Sequence, residues 1–144
     1  MGQHILVPVD GSKQSEKAFE YALDMFPESR MTLIRVLKPT TQWPYGGEDG
    51  FDVEQYRKEQ RRRQRDAEEM LGALKSKAVE RGVDTETMTA VGNPAKKILE
   101  AAEENHVDHI VMGSHGRSGF GRVLFGSVAE TVTRRSSVPV TIVR

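Results

Sequence analysis

The chain has 144 residues, with 21 Lys plus Arg against 21 Asp plus Glu, 37% hydrophobic and 6% aromatic residues, and no cysteine. That length suits one domain with an ordinary core, burying about 70% of the unfolded surface, while the missing cysteine excludes disulfides, thiolate metal sites, iron–sulfur clusters and thiol nucleophiles. A formal net charge of zero argues against a surface built throughout for nucleic acid, so any anionic ligand must be held locally.

Met1 to Asp10 lacks a basic region, a long apolar run and a cleavage site, so it reads as a strand and not as a secretory signal. Leu6 stands where myristoylation needs Ser or Thr, and no segment approaches the ~20 apolar residues of a membrane helix. A cytoplasmic, membrane-free protein is expected. Ile5 to Val9 is a continuous apolar run stopped by Asp10-Gly11-Ser12, the pattern of a central parallel strand buried on both faces. Ser15 to Met25 places Ala18, Ala22 and Met25 on one helical stripe, and Thr32 to Leu37 is a second strand. Pro39 to Gly50, with the single Trp43, reads as a loop or lid. Val53 to Arg81 is a long charged helix with Ala67, Met70, Leu71, Leu74 and Ala78 on one stripe, closed by Gly82. Thr85 to Val91 is a less apolar strand, expected near a sheet edge. Asn93 caps a helix that Pro94 opens, burying Ala95, Ile98, Leu99 and Ala102. The strand His109 to Met112, the glycine-rich stretch Gly113 to Gly126, the helix Ser127 to Arg135 and the strand Val138 to Val143 complete the chain. Strict alternation implies a mostly parallel sheet with helices on both faces, a single-domain three-layer α/β/α fold.

In an open doubly wound sheet the ligand lies beyond the carboxyl ends of the strands, where strand order reverses. Two loops suit that place: Pro8 to Ser12, and Gly113-Ser114-His115-Gly116 reaching Gly126-Ser127. Glycine lets the backbone approach a ligand, and the first turn of a helix supplies unpaired N–H donors at its positive end. Together they form a phosphate cradle built mainly of main chain, with Ser127 as the helix cap. Standard nucleotide motifs fail on the same residues. Arg122-Val123 stands where a P-loop needs Lys and Ser or Thr, Leu124 replaces the third glycine of a dinucleotide fingerprint, and no nucleophile elbow surrounds Ser118.

The spacing present is Gly113-x2-Gly116-x9-Gly126-Ser127-Val128. With Ile5 to Ser12, Asp108 to Gly116 and Ser137 to Val143, the chain resembles the universal stress protein family, in its ATP-binding branch, over residues 1–144. The resemblance implies a five-stranded parallel sheet in the order 3-2-1-4-5, of the adenine nucleotide alpha hydrolase-like type, with a variable loop at 39–52. It further implies that Asp10, followed by Ser12, accepts hydrogen bonds from ribose, that Pro8, Val9 and the backbone of Val36 flank adenine, and that Met112 and Gly113 support the sugar and first phosphate. Gly116, Gly126, Ser127 and Val128 hold the remaining phosphates, with His115 and Arg117 beside them in the loop. ATP is the implied ligand, with Mg or Mn carried on phosphate oxygens, and a homodimer is implied through the last strand, 138–143.

Blander readings compete. His115 is more often a solvated loop residue than a catalyst, and His106 and His109 lack the carboxylates of a metal set. Arg57, Lys58, Arg61, Arg62, Arg63 and Arg65 interleave with Glu54, Glu59, Asp66, Glu68 and Glu69, so a solvated helix face is the better account than nucleic acid. Arg117 and Arg122 either clamp the anion or face solvent, and Trp43 and Tyr45 pack over the nucleotide or on a partner protein. A nucleotide-dependent stress-response switch is the leading function. A slow ATPase or autophosphorylating protein is disfavoured by the missing phosphate Lys and carboxylate base, and a nucleotide-independent dimeric scaffold remains a third reading. A response receiver is rejected, because Val91-Gly92-Asn93 offers no phosphorylatable Asp.

Overall fold

A computed structural model describes residues 2–39, 53–114 and 126–144. Strands and helices alternate: β1 (His4–Pro8), α1 (Lys13–Met25), β2 (Arg30–Leu37), α2 (Val53–Glu80), β3 (Asp84–Val91), α3 (Pro94–Glu104), β4 (His109–Gly113), α4 (Ser127–Arg135) and β5 (Val140–Val143). Every pairing is parallel and the sheet order is β3-β2-β1-β4-β5, as expected. The chain winds outward first through β2 and β3, then returns to lay β4 and β5 on the other side of β1. Ile5, Leu6 and Val7 are fully buried, which is why three apolar residues follow one another with no polar alternation. Ile5 and Val7 pack with α1 and α2 through Phe19, Leu23 and Leu71, whereas Leu6 packs with α3 and α4 through Ile98, Ala129 and Val132.

Local chemistry sets most boundaries. Ser12 accepts the Ser15 N–H at 3.1 Å and so caps α1, the Asn93 carboxamide accepts the Lys96 N–H at 3.0 Å with Pro94 at the first helical position, and Gly82 closes α2 at φ +81°. The structure departs from the periodic reading at two places. The capped α1 starts at Lys13 and turns Ser15, Ala18, Phe19, Ala22 and Leu23 to the sheet, leaving Met25 on the flank and 57% exposed. β5 starts at Val140 and not at Val138, because the Ser136 hydroxyl both donates to the Val138 carbonyl and accepts its N–H, holding Val138 in a turn. The basic run of α2 is the solvated face expected: Arg57, Lys58, Arg61, Arg62 and Arg65 are exposed, with Arg62 paired to Glu59 at i,i+3.

Candidate functional site

β1 and β4 are hydrogen-bonded neighbours, and from their adjacent carboxyl ends the chain departs in opposite directions, toward β2 and toward β5. In open α/β sheets such a fork marks the crevice beyond the carboxyl ends of the strands, where ligands bind. The first wall is the loop after β1. Gly11 takes φ +84°, where a side chain would be strained, and the turn it allows points the Ser12 N–H at the Asp10 Oδ1 at 2.9 Å. The Asp10 N–H donates to the Ser15 Oγ at 3.3 Å, and the Ser15 hydroxyl donates to the Ser12 carbonyl at 3.0 Å. The Asp10 carboxylate is therefore held by its own loop at the mouth of the cleft, half-buried beside Pro8.

Val9 is buried in the layer beneath α1, and its N–H donates to the Ile34 carbonyl at 2.9 Å. Leu37 presents its carbonyl to Gly92 on the β3 side. Parallel strands alternate the direction of their polar groups, so Val36, two residues past Ile34, turns its N–H and C=O toward the β1 side at a level where β1 has already left the sheet. Main-chain donor and acceptor at this position suit the edge of a heterocyclic base.

The second wall is built from β4 and α4. Gly113 sits where a Cβ would meet the Gln14 carbonyl carbon at 2.8 Å, so its absent side chain lets α1 pack against the end of β4. Ser114, 1% exposed, donates its N–H to the Val143 carbonyl at 2.8 Å and accepts the Gly126 N–H at 2.6 Å. This clasp brings the two ends of the 115–125 connection together. Gly126 is the N-cap of α4, without a side-chain cap, and its carbonyl accepts the Glu130 N–H at 3.0 Å. The N–H groups of Ser127, Val128 and Ala129 then have no intrahelical acceptor and carry the positive end of the helix.

The expected role of Ser127 as cap changes. Gly126 is the cap in place of Ser127, whose exposed side chain makes no capping bond, and the Gly126 N–H is committed to Ser114 and unavailable as a phosphate donor. Met112 is 5% exposed and packs in the α3–α4 layer, so its side chain belongs to the core. Asp10, Ser12, Pro8 and Val36 are brought to one end of the sheet with Gly113, Gly126, Ser127 and Val128. His115, Gly116 and Arg117, like Arg122, Trp43 and Tyr45, lie outside the described residues. Ser15 and Ser114 escaped the sequence reading, although Ser12-x2-Ser15 already carried the spacing of a capped first turn. Among the described residues no group of three or more His, Asp or Glu is placed to hold a metal ion.

The shifted titrations lie at the opposite end of the sheet. His4 Nε2 is 2.7 Å from the Thr32 Oγ1 and Nδ1 is 3.0 Å from the Asn105 carbonyl. Burial lowers its pKa, as does the Arg30 guanidinium 3.2 Å from Nδ1, against opposing effects of the Asn105 carbonyl, Asp108 and Glu86. Burial also lowers the pKa of His109, whose Nε2 is 2.7 Å from the Thr141 Oγ1 and whose ring lies 5.1 Å from Phe26. A folded-state pKa below the unfolded value of about 6.5 means that the unfolded chain takes up protons first. The stability these groups contribute is present above that value and lost as pH falls from it toward the folded pKa. Melting curves from pH 8 to pH 5 should show falling stability below about pH 6.5, and His4→Gln should flatten part of that fall. An unchanged slope in the variant removes His4 from the account.

The sequence model of the universal stress protein family matches residues 1–144. Universal stress protein YxiE of Bacillus subtilis is 35% identical, with all of each chain covered. Universal stress protein MJ0531 of Methanocaldococcus jannaschii is 33% identical over 97% of this chain and 81% of that protein. Among solved structures, MJ0577 superposes with a TM-score of 0.83 at 27% identity, over 99% of this chain and 96% of that one. A universal stress protein in complex with cAMP superposes with a TM-score of 0.67 at 25% identity, over 99% and 97%.

Proposed function

The chain belongs to the universal stress protein family, and from that premise we propose that its cleft binds an adenine nucleotide, ATP foremost, and that occupancy of the cleft is its output. The observation that carries the reading is the first turn of α4, whose Ser127 and Val128 amides have no intrahelical acceptor, at the same end of the sheet as the Asp10 carboxylate. A carboxylate acceptor and the donors of a helix N-terminus suit a ligand with hydroxyls at one end and phosphoryl oxygens at the other. The related protein bound to cAMP supports the same ligand class.

In this reading Pro8, Val9 and the main chain of Val36 flank the base, Asp10 takes the ribose hydroxyls, and Met112 and Gly113 contribute main chain beneath the sugar. Ser127 and Val128 hold phosphates, with Gly116, His115 and Arg117 supplied by the connection and Gly126 keeping the mouth of the helix clear of a side chain. Mg or Mn would be ligated by the phosphates. Arg122 stands where a P-loop carries its Lys, so any hydrolysis or autophosphorylation is expected to be slow. A second copy of the chain is proposed to pair along β5, an edge strand of half-buried, mostly apolar residues. A cytoplasmic site of action fits the cysteine-free sequence.

Calorimetric titration with Mg-ATP tests the function. A Kd below about 1 mM is expected, weakened by about 10–100-fold in Asp10→Ala, which removes a charged hydrogen-bond acceptor. A wild-type protein that releases no heat at millimolar ATP rules the proposal out.

A further inference from the structure

We propose that Ser15, which lies outside every nucleotide-contacting position named above, is the positioning residue that presents the Asp10 carboxylate to a vicinal diol and so makes the cleft selective for ribonucleotides. The inference rests on the nucleotide reading and deepens it. Ser15 is 6% exposed and belongs to the buried face of α1. Its hydroxyl nevertheless serves the loop before it, donating to the Ser12 carbonyl at 3.0 Å and accepting the Asp10 N–H at 3.3 Å. The Ser15 N–H goes to the Ser12 Oγ at 3.1 Å, and the Ser12 N–H goes to the Asp10 Oδ1 at 2.9 Å. These bonds join into a closed network over residues 10–15, drawn from one short segment of chain.

The consequence falls on Asp10. Its main-chain N–H is tied by Ser15 and one carboxylate oxygen by Ser12, so both the backbone and the side chain of the residue are fixed at the cleft mouth before a ligand arrives. The Ser12 N–H holds one oxygen of that carboxylate from within the loop. Two neighbouring O–H donors on a sugar match a carboxylate held in one orientation, and an acceptor already in place binds without the ordering cost of a mobile one. Removing the Ser15 hydroxyl leaves the Asp10 N–H and the Ser12 carbonyl without these partners, and the turn relaxes toward solvent. The α4 amides, on the other wall, are untouched.

The test compares Mg-ATP with Mg-2′,3′-dideoxy-ATP by calorimetry on wild type, Ser15→Ala and Ser15→Thr, with thermal melts to confirm folding. Wild type should prefer ATP by about tenfold or more, the range for hydrogen bonds to a charged acceptor. Ser15→Ala should fall below about threefold through weaker ATP binding alone, and Ser15→Thr, which keeps the hydroxyl, should hold the wild-type ratio. Ser15→Cys keeps the volume but bonds weakly, so it should fall like Ser15→Ala and serves where the alanine variant does not fold. A purely structural role would weaken both nucleotides equally and leave the ratio unchanged. Wild type that binds neither nucleotide overturns the nucleotide reading itself. Wild type that prefers ATP, with Ser15→Ala keeping that preference or folded Ser15→Thr losing it, overturns the role of Ser15 and leaves the nucleotide reading standing.

Discussion

Gly113→Ala should destabilise the protein by about 1–3 kcal/mol, lowering its melting temperature by roughly 3–10 °C. A Cβ there meets the Gln14 carbonyl carbon at 2.8 Å, its Cβ at 2.9 Å and its carbonyl oxygen at 3.0 Å. Two of those atoms are main chain in the first turn of α1, so relief requires the helix or the end of β4 to move. Movement of α1 carries the loop from Asp10 to Ser15 with it, and nucleotide affinity should fall alongside stability. Gly72→Ala is the contrast. Gly72 lies within α2 with nothing inside 4 Å of an added Cβ, and alanine in place of an interior helical glycine should stabilise by about 0.5–1 kcal/mol. Thermal and urea melts of the two variants check both signs, and a Gly113→Ala protein that melts with wild type contradicts the packing argument.

Ser127→Pro should separate binding from stability in the other direction. Gly126 has φ −73° and ψ 164°, the extended conformation that a residue preceding proline requires. Ser127 is exposed at the first position of α4, where proline is favoured because its missing N–H has no helical partner. The substitution therefore deletes one main-chain donor from the cleft at little structural cost, and the melting temperature should hold or rise slightly. ATP affinity should fall by about 10–100-fold, the value of a hydrogen bond to a charged oxygen. Ser127→Ala, which removes the hydroxyl and keeps the amide, should lose only a few-fold. If Ser127→Pro binds ATP like wild type, the amide does not face the phosphates.

The parts of the fold legible in the sequence were those that local rules dictate. Ile5 to Val9 could only be a strand covered on both sides, Asn93-Pro94 and Gly82 announced helix ends through capping chemistry, and the polarity of Thr85 to Val91 placed β3 at an edge. The site was legible as a set of residue types at the ends of β1 and β4. Its wiring was not. Whether Met25 or Phe19 faces the sheet depends on where the Ser12 cap fixes the start of α1, a shift that leaves Met25 on the flank. The commitment of the Gly126 N–H to the Ser114 carbonyl joins residues twelve apart through the approach of β4 to α4, and the need for glycine at 113 arises from a helix nearly a hundred residues earlier. Such contacts belong to the assembled layers and leave no periodic trace.

Amide chemical shifts of isotope-labelled protein titrated with Mg-ATP report most directly on the main-chain cradle. The Ser127, Val128 and Ala129 amides, together with those of Asp10 and Ser12, should shift saturably, while the amides of Asn105 and Asp108 at the far end of the sheet stay in place. Shifts confined to other regions, or a spectrum unmoved at millimolar nucleotide, would contradict a ligand held between the first turn of α4 and Asp10.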